Sequence, residues 1–154
     1  MRVKLAATAI FAIAVGSSPA LAVDAGAVFT GLVTSTCALT VGTAGVMTAN
    51  AGYTTLSSEN SGGSRSTVVA LTTGATFNIS AIAPSTFTAG DSSNVTFATD
   101  YTLTGSTSAS DILGATTTLL NVGTTTVAVD LTATKTTGNF PADAYAATVT
   151  VRCE

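Results

Sequence analysis

Two cysteines, Cys37 and Cys153, carry the most distinctive chemistry in this 154-residue sequence. Each side chain is a potential nucleophile, metal ligand or half of a disulfide. A redox or nucleophilic thiol needs a stabilised thiolate. Neither cysteine has a His or Lys beside it, and no second Cys stands at CxxC spacing. Two thiols cannot supply a four-thiolate zinc site. A Cys37–Cys153 bond closes a loop of more than a hundred residues, worth about 4–5 kcal/mol in the chain-entropy model. One disulfide is therefore the expected role of the pair.

The sequence has no His and no Trp, so Ser-His-Asp and Cys-His relays and His-ligated metal sites cannot be built from this chain alone. Eight carboxylates remain. Hydrolysis by paired acids needs two of them a few ångströms apart, and each Asp and Glu falls in a turn segment or on an outward strand position. Asp91, Asn94 and Asp100 could meet at Ca²⁺, but nothing resembles the spaced acidic loop of an EF-hand, and solvated loop carboxylates are the plainer reading. The triplets Asn78-Ile79-Ser80 and Asn94-Val95-Thr96 match the glycosylation sequon in a chain so rich in Thr and Ser that chance supplies them. The expectation is no enzyme, no catalytic residue, no metal and no cofactor. Five Lys and Arg in all and a pI near 4.5 leave no basic surface for phosphates, so nucleic acid is not an expected partner.

Such residues must be delivered to a compartment and held by a fold. Arg2 and Lys4 precede the apolar run 5–15, followed by Gly16, Pro19 and the small-residue triplet Ala20-Leu21-Ala22. This is the pattern of a Sec signal peptide over residues 1–22, its apolar run too short for a membrane span. Removing Arg2 and Lys4 leaves three cations against eight carboxylates, a net charge of −5. No later apolar run approaches the length of a span, so the expected mature chain is exported, first to the periplasm and then to the cell surface. That route is oxidising, which suits the disulfide.

Beyond residue 23 the apolar period is two, the signature of strands. Val127, Val129, Leu131 and Ala133 alternate with polar or small residues, as do Phe77, Ile79 and Ala81, and Val95, Phe97, Thr99, Tyr101 and Leu103. The last run is Tyr145, Ala147, Val149, Val151 and Cys153. Shorter candidates cover 54–56, 66–71 and 116–122. Turn clusters occupy 42–45, 57–66, 84–94, 105–111 and 136–141. Seven to nine short strands at intervals of about ten residues predict an all-β, immunoglobulin-like antiparallel β-sandwich over residues 34–154. Tyr145, following an Asp-containing turn, suits a tyrosine corner or, equally, a ring covering the sandwich end.

The mature N-terminus stands apart. Odd positions from Val23 to Val41 form an alternating stretch of about nineteen residues, where a strand is normally five or six. A strand so long must bend between sheets, or its first half must pair elsewhere. Gly31 in mid-stretch marks close approach of another backbone or surface.

The string Gly26-Ala27-Val28-Phe29-Thr30-Gly31-Leu32-Val33, followed by Cys37, resembles the start of mature chaperone–usher pilins, with Phe29, Gly31, Val33 and Cys37 at matching positions. The segment from Gly138 through Phe140-Pro141-Ala142 and Tyr145 to Val151 is similar to the closing strand of pilins and of spore-coat-U-like secreted domains. The resemblance implies a sandwich lacking its last strand, completed by donor-strand exchange with the N-terminal extension of the next subunit. It implies residues 23–33 as that extension, with Ala25, Ala27, Phe29, Gly31 and Val33 facing a neighbour's pockets. Other copies or related pilin subunits, a periplasmic chaperone and an outer-membrane usher are the implied partners. Two departures are visible. Ala25 and Ala27 are small for donor residues, and the first Cys of common pilins pairs about forty residues on, whereas here its partner is Cys153. Strands flanking an open groove lie about 9–10 Å apart, two strand spacings, while a disulfide needs Cα atoms within about 7 Å. Bridge and groove thus make competing demands.

Two functions follow as expectations. The first is a pilin-like structural subunit of a bacterial surface fibre. The second is a self-contained secreted β-sandwich serving as a coat, matrix or carbohydrate-binding module. Few aromatics, 6% of the chain, argue against a flat sugar-binding face and favour the structural subunit.

Overall fold

The computed structural model describes residues 24–154. The expected signal peptide, 1–22, and Val23 lie outside the described residues. The chain divides into two units, one ending at Gly31 and the other running from Leu32 to Glu154. In the first, residues 24–31 form neither strand nor helix, and their side chains are exposed.

The second unit is an all-β sandwich of antiparallel strands. The larger sheet contains β1 (Thr36–Val41), β2 (Thr48–Ala49), β3 (Thr55–Ser57), β4 (Ser66–Thr73), β6 (Val95–Gly105), β7 (Ala109–Leu113) and β9 (Gly123–Lys135). The smaller consists of β5 (Phe77–Ile82), β8 (Thr118–Leu120) and β10 (Thr150–Cys153) in the order β10-β5-β8. β9 is the spine. Along one edge it pairs with β6 from Val95↔Lys135 to Gly105↔Thr125. Along the other it meets β4 through its first half and β3 near its end, so β3 and β4 lie end to end with the 58–65 loop leaving between them.

Alternation places the core. Val127 and Val129 of β9, Tyr101 and Leu103 of β6, Ile79 and Ala81 of β5 and Leu120 of β8 are buried between the sheets. Tyr101 spans them: its hydroxyl lies 3.1 Å from the Ile79 carbonyl, 2.8 Å from the Thr116 carbonyl and 2.7 Å from the Thr118 hydroxyl. A second cluster closes one end, where Phe87 packs on Phe97, Phe140 and Tyr145 with ring centroids 4.8, 6.0 and 5.1 Å apart. Tyr145 also donates its hydroxyl proton to the Pro141 carbonyl, four residues upstream, at 2.9 Å. It therefore fills both suggested roles, corner and end cap.

Three expectations are corrected. The nineteen-residue alternating stretch is a strand only from Thr36 to Val41; residues 24–35, with no partner strand among the described residues, stay irregular. Cluster 105–111 is not all turn, because β7 begins at Ala109 and pairs with β6 across a register shift between Tyr101 and Leu103. Asp130 does face away from the core, but it is not solvated. The 58–65 loop covers it to 1% exposure, and its carboxylate stands with those of Glu59 and Asp100, not apart from other acids.

Candidate functional site

The two sheets meet unequally at their edges. Among the described residues, β1 ends the larger sheet and pairs with β4 alone, and β10 ends the smaller and pairs with β5 alone. Each therefore presents a free line of backbone donors and acceptors, a template for another strand. Cys37 and Cys153 bond to one another across these two edges, with Cα atoms 6.4 Å apart. The expected disulfide is present. Its tension with an open groove is resolved because the edges belong to different sheets and are joined where Cys37, near the start of β1, bonds Cys153 at the end of β10.

Away from the bridge a cavity of about 310 Å³ opens between the edges. Its floor is the inner face of the larger sheet, Val68, Val129 and Leu131, and its walls include Val41 from β1 and Val149 and Val151 from the final segment. No charged side chain lines it. Register explains how the sequence makes the floor and one wall. Cys37, Leu39 and Val41 stand opposite Thr72, Ala70 and Val68, so they share the core-facing side of the sheet. Yet Val68 is 8% exposed and Val41 80%. The core-facing row runs out from under cover at β1 because no strand lies beyond it. The final segment behaves alike: Tyr145, Ala147, Val149, Val151 and Cys153 alternate as expected but are only half-buried.

The residues singled out in the N-terminal segment divide from the rest. Ala25, Ala27, Phe29, Gly31 and Val33 belong to no strand, and Phe29 is 92% exposed. A Cβ placed on Gly31 meets no atom within 4 Å, so the close approach inferred for it is not made within the described chain. Sequence reasoning placed Val129 and Leu131 in one alternating row and Val68 within a strand candidate, but did not identify them as the floor of a groove. Periodicity tells which face a side chain takes; it does not tell whether a strand is missing beside it.

A second cavity, about 460 Å³, is bordered by Tyr53, Leu56, Phe140, Asp143 and Tyr145 at the aromatic end. The Tyr145 hydroxyl has a pKa raised above the ordinary phenol value by desolvation and by the nearby Asp143 carboxylate, so both readings of this end keep the ring neutral. No family model, curated protein or solved structure matches the chain.

Proposed function

We propose that the protein is a structural subunit of a bacterial surface fibre, polymerised by donation of residues 23–33 of one copy into the groove of the next. The observation that carries this reading is the pairing of a lack with a surplus. The sandwich has an apolar groove between two unpaired edges, and the same chain carries an apolar-alternating segment that forms no strand. Strand addition would supply backbone hydrogen bonds to β1 and to the final segment, with alternate side chains entering the groove. Burial of Phe29 adds about 1.5–3 kcal/mol. Gly31 lets the donor backbone approach where a side chain would collide.

Donation in trans is favoured over folding back onto β1 within one chain. A two-residue hairpin through Thr34 and Ser35 requires positive φ, for which Gly or Asn is the usual residue. The resemblance to chaperone–usher pilins supports the same reading and supplies its remaining partners, a periplasmic chaperone that shields the groove and an outer-membrane usher. Electron microscopy of the mature protein tests it: fibres are expected, and a dispersed monomer at all concentrations would count against assembly.

A second reading, a self-contained secreted module that binds carbohydrate, draws on the aromatic cavity, where the exposed Tyr53 ring and Asp143 offer stacking and hydrogen bonding. A monomer that binds glycans and forms no fibres would favour it.

A further inference from the structure

Along one side of β9 the ladder has a gap. β4 reaches Val129, opposite Ser66, and β3 resumes at Thr132, opposite Ser57, so among the described residues no strand faces Asp130 and Leu131 on that side. Ser58 takes the place of one. Its N–H donates to the Leu131 carbonyl at 3.0 Å, and its hydroxyl oxygen accepts the Leu131 N–H at 3.1 Å. Both backbone groups of a buried residue are thereby satisfied. The same hydroxyl donates its one proton to Asp130 Oδ1 at 2.7 Å, which fixes its orientation.

Asp130 holds a second point. Its other oxygen ion-pairs with Arg65, at the far end of the 58–65 loop. One carboxylate, 1% exposed, thus pins both ends of the loop to the spine of the sheet. Next to Arg65, Ser64 exchanges two backbone hydrogen bonds with Val46, each 2.9 Å. Gly45 permits that approach: a Cβ there would stand 2.9 Å from the Ser66 nitrogen and 3.0 Å from the Ser64 carbonyl oxygen. Gly45, Val46, Ser58, Ser64 and Leu131 all line the apolar groove. Contacts therefore run without a break from Asp130, on the outer face, to the floor and one wall of the groove on the inner face.

We propose that Asp130, acting through Ser58 and Arg65, is the positioning residue that holds the groove in the shape that receives a donor strand. The inference rests on the fibre reading and adds to it the residues that preform the acceptor. The wall needs such a hold. Between the end of β1 at Val41 and the start of β2 at Thr48 it is not a strand, and the bridge to Ser64 is what ties Val46. A wall fixed before the donor arrives spares the ordering cost that binding would otherwise meet. Charge-assisted contacts, stronger than neutral ones, suit that task.

The test compares the concentration at which mature chains are half assembled, read by chromatographic sizing, with melting curves recorded below that concentration. Arg65→Gln removes the cation from an exposed position and should raise the half-assembly concentration about tenfold or more, the worth of a hydrogen bond to a charged group. Ser58→Ala, which cuts the link to Leu131, should do the same. Arg65→Lys should recover most of the loss, because it returns a cation to Asp130. Tyr101→Phe is the control: its hydroxyl contacts no groove-lining residue, so it should lower the melting temperature and leave assembly unchanged. If wild type assembles and both Arg65→Gln and Ser58→Ala match it, the positioning role is overturned while the fibre reading stands. An equal rise in Tyr101→Phe also overturns it, since global stability then accounts for the effect. A wild type that never assembles overturns both.

Discussion

Cys37 and Cys153 join the free edge of one sheet to the free edge of the other, with Cα atoms 6.4 Å apart and a sequence separation of 116. The bond holds the mouth of the sandwich closed at one end while the apolar groove lies open at the other. A cross-link spanning so much of the chain restricts the unfolded state more than any local contact could. Replacing both cysteines, Cys37→Ser with Cys153→Ser, is expected to cost about 4–5 kcal/mol, read as a lowered urea midpoint with a steeper slope, because the unlinked unfolded chain exposes more surface. A midpoint equal to that of the oxidised protein would contradict it.

Tyr101→Phe keeps the ring in the core and removes a hydroxyl that bridges the sheets. The Ile79 carbonyl and the Thr116 and Thr118 groups then lose a shared partner. The expected loss is about 1–3 kcal/mol, the cost of leaving buried polar groups unsatisfied. Chemical denaturation measures it, and unaltered stability would refute the bridging role.

Asp91 tethers the 84–94 loop to β9. Lys135 Nζ reaches its Oδ2 at 2.8 Å, and the Ser93 N–H reaches its Oδ1 at 2.9 Å; the first contact above all holds its carboxyl well below the usual carboxylate range. A depressed folded pKa contributes stability that is present above the unfolded value and lost as pH falls towards the folded one. Asp91→Asn is thus expected to melt below wild type at pH 7. The two melting curves should draw together only below about pH 4, the ordinary Asp range. A gap independent of pH would show that the charge is immaterial.

How much of this could be read in the sequence follows from what periodicity reports. Val127 to Ala133, and Val95 to Leu103, alternate over buried faces, and there the pattern located strands, inner face and core together. Cys37 and Cys153 were in phase with inward residues, and they are bonded. Positions decided by a neighbour's presence or absence were not legible. Val41 has the same inward phase as Val68 but lies exposed because no strand follows β1. Asp130 has an outward phase but lies buried because a loop far from it in sequence folds over it. β7, Ala109–Leu113, carries no alternation and holds its place by pairing with β6. The stretch before Thr36 alternates as a strand should and forms none, since alternation prepares a segment to pair without supplying its partner.

Phe29→Ala and Gly31→Val should each reduce assembly while leaving a secreted, disulfide-bonded monomer of unchanged melting temperature. Both residues lie outside every strand, and Phe29 is exposed, so neither change removes a core contact. Loss of Phe29 forfeits about 1.5–3 kcal/mol of burial at each junction. Chromatographic sizing checks both variants, and full-size assemblies from either would deny the segment its role.

The central claim is that residues 23–33 complete a neighbour's sandwich. It is tested most directly by titrating a synthetic peptide, Ala25 to Val33, into a chain that begins at Thr34. Donor-strand complementation predicts saturable binding of one peptide per chain, with a raised melting temperature, and no binding by a peptide carrying Gly31→Val. A truncated chain that stays unfolded with peptide present, or a folded one that takes up none, would contradict it.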